Sequence, residues 1–187
     1  MPIRAFVAVP VRPSQRLDLL LNDLRPLRSG RAVKPTLAEN LHVTLRFLGD
    51  VEPAQVDAVT DAMRTATAGI DAFELTLENV GAFPSVGRPS VVWIGATDQG
   101  QLATIAEKLN GALADVGFVS EDRPWHGHVT IARIKARPPA RLRQFISDHE
   151  NDRFADMRVS SIQLMRSDLQ ANGPVYSSLA SAPLTGA

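Results

Sequence analysis

The stretch that decides the fold is Leu41-His42-Val43-Thr44-Leu45-Arg46-Phe47-Leu48. It alternates: Val43, Leu45 and Phe47 share one face of an extended strand, while His42, Thr44 and Arg46 share the other. The apolar face belongs inward, and the polar face is left for chemistry. About half a chain later the pattern returns as His128-Val129-Thr130-Ile131. Histidine occurs at only four positions, 42, 126, 128 and 149. At average composition, the chance that any two of them share their next two residues is roughly a few per cent. Two copies in strand-like alternation, spaced this way, are what an internally duplicated fold would contain.

Working outward, residues 3–9 read as an opening strand. Leu17, Leu20, Leu21, Leu24 and Leu27 recur at helical spacing and predict an amphipathic helix ending near Pro26 to Gly30. Residues 31–35 read as a short strand. Pro53 suits a first helical turn, and Val56, Val59 and Met63 predict a second helix stopped at Gly69. Phe73, Leu75 and Leu77 alternate as a strand running on to 84, and a turn-rich loop over 84–89 leads to a buried strand at 91–95. Asp98 can cap a third helix whose face is Leu102, Ile105, Leu109, Leu113 and Val116, ended by Gly117. A strand follows at 127–134, and Pro138-Pro139 opens a fourth helix carrying Leu142, Phe145 and Ile146. Strands at 159–167 and 175–179 close the chain, with a turn at Ala171-Asn172-Gly173-Pro174. Such irregular alternation does not suit regular parallel crossovers, so the fold class is α+β with antiparallel sheets.

At 187 residues and 44% hydrophobic, the chain is long enough to bury a core without a staple. It has no cysteine, which excludes a disulfide framework, a thiolate metal site and a cysteine nucleophile. No segment reaches the roughly 18 apolar residues of a membrane span, and the opening apolar run is too short for a secretory signal. The expectation is a cytoplasmic protein that does not engage membranes. Lys+Arg 20 balance Asp+Glu 20, so bulk charge selects no partner. The basic residues are 17 Arg to 3 Lys, a skew that a GC-rich coding sequence alone would produce.

In a strand, residues i and i+2 share a face, so each of His42 and His128 stands beside its own hydroxyl, Thr44 or Thr130. Two such strands related by a pseudo-twofold axis would face two imidazoles and two hydroxyls into one cleft. Imidazole titrates near neutrality, so one can act as base while the other acts as acid. The hydroxyls can donate to phosphoryl oxygens, with Arg46 a further candidate on the same polar face. This suits in-line displacement at phosphorus with no metal or other cofactor. The plainer alternative is that each His is a strand residue satisfied by its Thr.

Other residues carry weaker signals. His126 and His128 could be two metal ligands on one strand face, with His42 or His149 as a third. Against this, no carboxylate occurs between Asp122 and Asp148. His126 reads better as a loop residue, and His149 closes an exposed helical turn without chemistry. The acid-free stretch carries Arg133, Lys135, Arg137, Arg141 and Arg143, either a basic rim for RNA or a solvated helix face. Phe6, Phe83 and Trp125 could stack on a base; Trp125 is the best placed of the three, and core packing competes for Phe6 and Phe83. No Gly-rich phosphate loop occurs.

These motifs, in this order, resemble the two-histidine phosphoesterases, specifically the RNA 2′,3′-cyclic phosphodiesterases also called 2′-5′ RNA ligases. The resemblance covers nearly the whole chain. Ile3-Arg4-Ala5-Phe6-Val7-Ala8-Val9-Pro10 looks like the family's opening strand, and residues 39–49 match its first His-x-Thr motif. Gly81-Ala82-Phe83-Pro84-Ser85 with Arg88-Pro89 and Val92-Trp93 is similar to its middle segment. His128-Val129-Thr130-Ile131-Ala132-Arg133 looks like the second motif, and Ser167-Asp168-Leu169 with Gly173-Pro174-Val175-Tyr176 like its closing hairpin. One departure is Gly127, where the family usually has Pro, preceded by the extra His126; glycine is expected to loosen the start of that strand.

The resemblance implies a single bilobal domain over 1–187 with a pseudo-twofold axis. Two antiparallel sheets would line a central cleft, with helices outside and terminal strands exchanged between lobes. By similarity, His42 would give a proton to the leaving ribose oxygen, His128 would activate water, and Thr44 and Thr130 would hold the phosphate. Arg133 would neutralise phosphate charge, although simple alternation places it on the face opposite His128 unless the strand bulges near Ala132. Phe6, Trp125 and Arg46 complete the candidate substrate-binding set. The implied partner is RNA ending in a 2′,3′-cyclic phosphate, acted on by a monomer with no obligate protein partner. Reverse 2′-5′ ligation belongs to the same chemistry. The alternatives are a non-catalytic RNA-end binder and a metal-dependent phosphohydrolase using His126 and His128.

Overall fold

The computed structural model describes residues 1–27, 32–171 and 173–186. The strands are β1 Ile3–Pro10, β2 Val33–Pro35, β3 His42–Val51, β4 Phe73–Phe83, β5 Val91–Thr97, β6 His128–Ile134, β7 Arg153–Val159, β8 Ser161–Gln170 and β9 Gly173–Pro183. The α-helices are α1 Gln15–Leu24, α2 Val56–Thr67, α3 Gln101–Asp115 and α4 Arg141–Asp148. The expected ends of the first helix and of the short strand at Gly30 and Arg31, and Asn172 of the expected turn, lie outside the described residues.

The strands form one antiparallel sheet in the order β7-β4-β5-β6-β3-β1-β8-β9, with β2 added beside β6. That order is symmetric in role about the seam between β6 and β3. These two carry the repeated motif; β5 and β1 flank them, then β4 and β8, then β7 and β9. The halves are the two sheets expected from the sequence, and they join through a single residue pair, Val43 with Val129. Because β8 and β9 return to β1, the two ends of the chain build one half and its middle builds the other.

The helices lie against this sheet by their apolar stripes. α2 packs on α3 and β9, α3 also on β3, α1 on β7 and α4 on β4. From α3, Leu102, Ile105, Leu109 and Leu113 are fully buried, each contributing about 1.5–3 kcal/mol. Ser14 accepts from the Leu17 amide at 3.2 Å, and its hydroxyl donates to the Phe154 carbonyl at 2.7 Å, so one cap also ties α1 to β7. Asp98 accepts from the Leu102 amide at 2.7 Å, as its position ahead of the third helix suggested.

β7 was not anticipated as a strand of its own. It is an edge strand bearing Arg153, Asp156 and Arg158, charges that discourage pairing with another chain and also mask the strand pattern. A bulge completes the disguise, because Leu77 pairs with Ala155 and Glu78 with Arg153, leaving Phe154 extra.

The feature that positions the site is a bulge repeated in both motif strands. Ala8 pairs with Thr44 but Val7 with Arg46, so Leu45 is the extra residue in β3. Trp93 pairs with Thr130 but Val92 with Ala132, so Ile131 is the extra residue in β6. A bulge inverts the alternation beyond it. Arg46 and Ala132 therefore turn inward, while Phe47 and Arg133 turn out onto the face of the histidines. Burial along the first seven residues of each strand runs in the same order. Two expectations are corrected here: Phe47, read as core, is 59% exposed, and Arg46, read beside His42, is 5% exposed.

Candidate active site

The two histidines are held alike. Nδ1 of His42 lies 2.7 Å from the carbonyl oxygen of Asn40, and Nδ1 of His128 lies 2.9 Å from that of His126. A carbonyl only accepts, so each bond places the proton on Nδ1 and leaves Nε2 as the nitrogen that exchanges protons. Aromatic rings fix each imidazole. Phe6 packs on His42 at 4.8 Å between centroids, and Tyr176 meets it edge-on at 5.3 Å. Phe83 meets His128 edge-on at 5.2 Å, and Trp93 backs Phe83 at 5.2 Å. The Trp93 ring lies over Gly81, where any side chain would collide with it.

Burial lowers the pKa of both histidines below 6.5, and the backbone bond to Asn40 or His126 partly offsets this. The Arg133 guanidinium lowers both further, and His128 adds to the effect on His42. The bulge at Ile131 puts Arg133 on the same face of β6 as His128. Burial raises the Tyr176 phenol, which Arg133 and Arg4 counteract. Thr44 and Thr130 are half-buried on the same faces as their histidines. The cleft therefore brings together two imidazoles with open Nε2 atoms, two hydroxyls and a guanidinium, in an arrangement able to hold a phosphoryl group.

The family model for the 2′-5′ RNA ligase superfamily matches residues 12–171. A protein of Archaeoglobus fulgidus named RNA 2′,3′-cyclic phosphodiesterase is 33% identical over 179 residues, covering 95% of this chain and 98% of that one. This chain belongs to the 2′-5′ RNA ligase superfamily. Two solved structures agree with that membership. A Thermus thermophilus protein superposes with a TM-score of 0.80 at 28% identity, covering 98% of this chain and 99% of that one. Escherichia coli LigT complexed with 3′-AMP superposes with a TM-score of 0.74 at 25% identity, covering 99% of each.

For this superfamily member, the structure brings His42, Thr44, His128, Thr130 and Arg133 to one cleft, the last by way of the bulge. Three other assignments change. Arg46 leaves the cleft: its guanidinium donates to the Val119 carbonyl and lies 2.8 Å from Glu121, latching the loop that follows α3. Phe6 is 4% exposed, so it supports His42 from behind and offers no open face to a base. Trp125 is half-buried and donates from Nε1 to the Thr44 carbonyl at 2.9 Å, bracing β3 from the loop ahead of β6.

Gly127 also differs from expectation. It is tightly packed rather than loose: a Cβ there would lie 2.6 Å from the Ala96 carbonyl and 3.0 Å from the Trp125 ring. Trp125 occupies the space a larger residue would need. His126 is exposed, and no cluster of three potential metal-binding His, Asp or Glu residues occurs among the described residues. His149 is not exposed; it packs on Phe145 at 4.9 Å and bonds Asp152 at 2.7 Å.

Sequence reasoning missed Phe47 and Tyr176 beside the histidines. Phe47 was detectable: it occupies in the first motif the place of Arg133 in the second, so a bulge inferred for one copy applies to both. Tyr176 comes from β9, which no local spacing relates to His42.

Proposed function

We propose that this protein hydrolyses RNA 2′,3′-cyclic phosphate termini to 2′-phosphates by acid–base catalysis, without a metal. The observation that carries the reading is the matched pair of imidazoles, each with Nδ1 pinned by a carbonyl two residues earlier and each under the influence of Arg133. The names of the curated relatives support the same substrate.

His128 takes a proton from water through Nε2 as the water oxygen bonds to phosphorus. The bond from phosphorus to the ribose 3′ oxygen breaks, and protonated His42 delivers its Nε2 proton to that oxygen. Thr44 and Thr130 donate hydrogen bonds to the non-bridging oxygens, and Arg133 neutralises the charge that builds there. With a ribonucleotide 5′-hydroxyl in place of water, the same roles form a 2′-5′ linkage: His128 takes the hydroxyl proton, and His42 again protonates the leaving 3′ oxygen. The protein acts as a monomer, since one chain supplies every group named.

The test is incubation of RNA ending in 2′,3′-cyclic phosphate with purified protein in excess EDTA, beside the His42→Ala/His128→Ala variant. Conversion to a 2′-phosphate by the wild type alone supports the reading. Conversion that requires an added divalent cation, or none at all while RNA still binds, contradicts it.

A further inference from the structure

Away from the paired histidines, a groove of about 660 Å³ lies between the β4–β5 loop and the segment from β6 to α4. Its lining residues include Arg88, Arg137 and Arg143 together with Pro89, Pro138 and Pro139, and no carboxylate. All three arginines are exposed, and none takes part in an ion pair among the described residues. By contrast, Arg46, Arg64, Arg153 and Arg166 each have a carboxylate partner. Arg143 Nη2 donates to the Gly87 carbonyl at 2.9 Å, which holds the two walls together and leaves its other donors open. Unpaired arginines in a concave, acid-free setting cost self-repulsion, which an anionic ligand would relieve.

The groove is anchored at the reaction centre. One wall springs from Phe83, against His128, and returns at Val91, which pairs with Arg133. The other wall begins at Ala136, three residues beyond Arg133, or about 10 Å at the rise of an extended chain. An RNA with a cyclic phosphate at its 3′ end continues in only one direction, towards its 5′ end. Its next phosphodiesters must leave the cleft by some path, and this one is lined by forks suited to phosphate oxygens.

We infer that Arg88, Arg137 and Arg143 bind the phosphodiester backbone of the RNA 5′ to the scissile terminus, so that the substrate is an oligonucleotide rather than a free nucleoside 2′,3′-cyclic phosphate. The inference rests on the function proposed above but is tested apart from it. The probe is a fluorescein-labelled single-stranded RNA decamer ending in 2′,3′-cyclic phosphate, bound to the His42→Ala/His128→Ala protein and followed by anisotropy. Three phosphate contacts at about 0.7 ions each predict roughly 20-fold weaker binding between 50 and 200 mM salt. Substitution of all three arginines by Gln should remove most of that dependence, whereas substitution by Lys should retain it. In the active protein, the Gln substitutions should lower the ratio of decamer to mononucleotide kcat/KM by about 10-fold, the same electrostatic loss read at low salt. An unchanged salt dependence in the Gln variant, or an unchanged ratio, would overturn the inference. If the wild type turned over neither substrate, the proposed reaction would fail while the binding result still decided the groove.

Discussion

Gly81→Ala puts the aromatic support of His128 to a quantitative test. A Cβ at Gly81 would lie 2.3 Å from Cζ2 of Trp93 and 2.4 Å from Cη2, whereas ordinary contact begins at 3.4 Å. The indole must therefore retreat by about 1 Å, because the strand pairing that sets Gly81 opposite Trp93 leaves the backbone little room. Trp93 contacts Phe83, and Phe83 meets the edge of His128, so the displacement is passed to the imidazole. A misplacement of this size at a reacting group costs up to ~100-fold in rate. Overpacking also costs about 1–3 kcal/mol of stability, or roughly 2–12 °C in Tm for a chain this long. The assay is kcat on a cyclic-phosphate RNA at a temperature where both proteins are folded, with Tm measured alongside. A lowered Tm with kcat within twofold of wild type would refute the argument that the Trp93–Phe83 stack positions His128.

Arg133→Gln should lower kcat/KM by about 10- to 100-fold, the loss of a charge-assisted bond to phosphate. It should also move the pH profile upward, because removing the cation relieves its depression of both histidines; a fixed profile would place Arg133 away from them. Arg46→Leu should lower Tm through loss of the latch to Val119 and Glu121, while KM stays within about threefold; a roughly 10-fold rise in KM at unchanged Tm would return Arg46 to the substrate. Gly111→Ala, inside α3 with no atom within 4 Å of the added carbon, should raise stability by about 0.5–1 kcal/mol, read as a higher urea midpoint. Destabilisation there would mean that α3 packs differently.

The alternation of residues 41–45 and the repeat at His128 were enough to place two motif strands, their histidines and their threonines. The helices were equally legible, since leucines at helical spacing in α1 and α3 bury as their period requires. What local pattern could not supply was the bulge at Leu45 and Ile131, because a bulge adds a residue without a compositional mark. That single insertion moved Arg46 into the interior, Phe47 out of it and Arg133 into the cleft. Residues from distant strands, Tyr176 above all, join the site only through the return of β8 and β9 to β1. Trp125 and Gly127 depend on each other's shapes, and neither meaning is visible in one residue alone.

The assignment of acid to His42 and base to His128 is tested most directly by the pH dependence of kcat/KM for wild type and for each single His→Ala variant. That parameter reports the free enzyme, where both histidines lie below 6.5, so the wild-type curve should be a bell whose maximum falls on the acid side of that value. A base must be deprotonated and an acid protonated. His128→Ala should therefore lose the rising limb and His42→Ala the falling limb, each with most of the rate gone. Exchange of the limbs would reverse the roles, and near wild-type turnover in either variant would contradict the two-histidine mechanism itself.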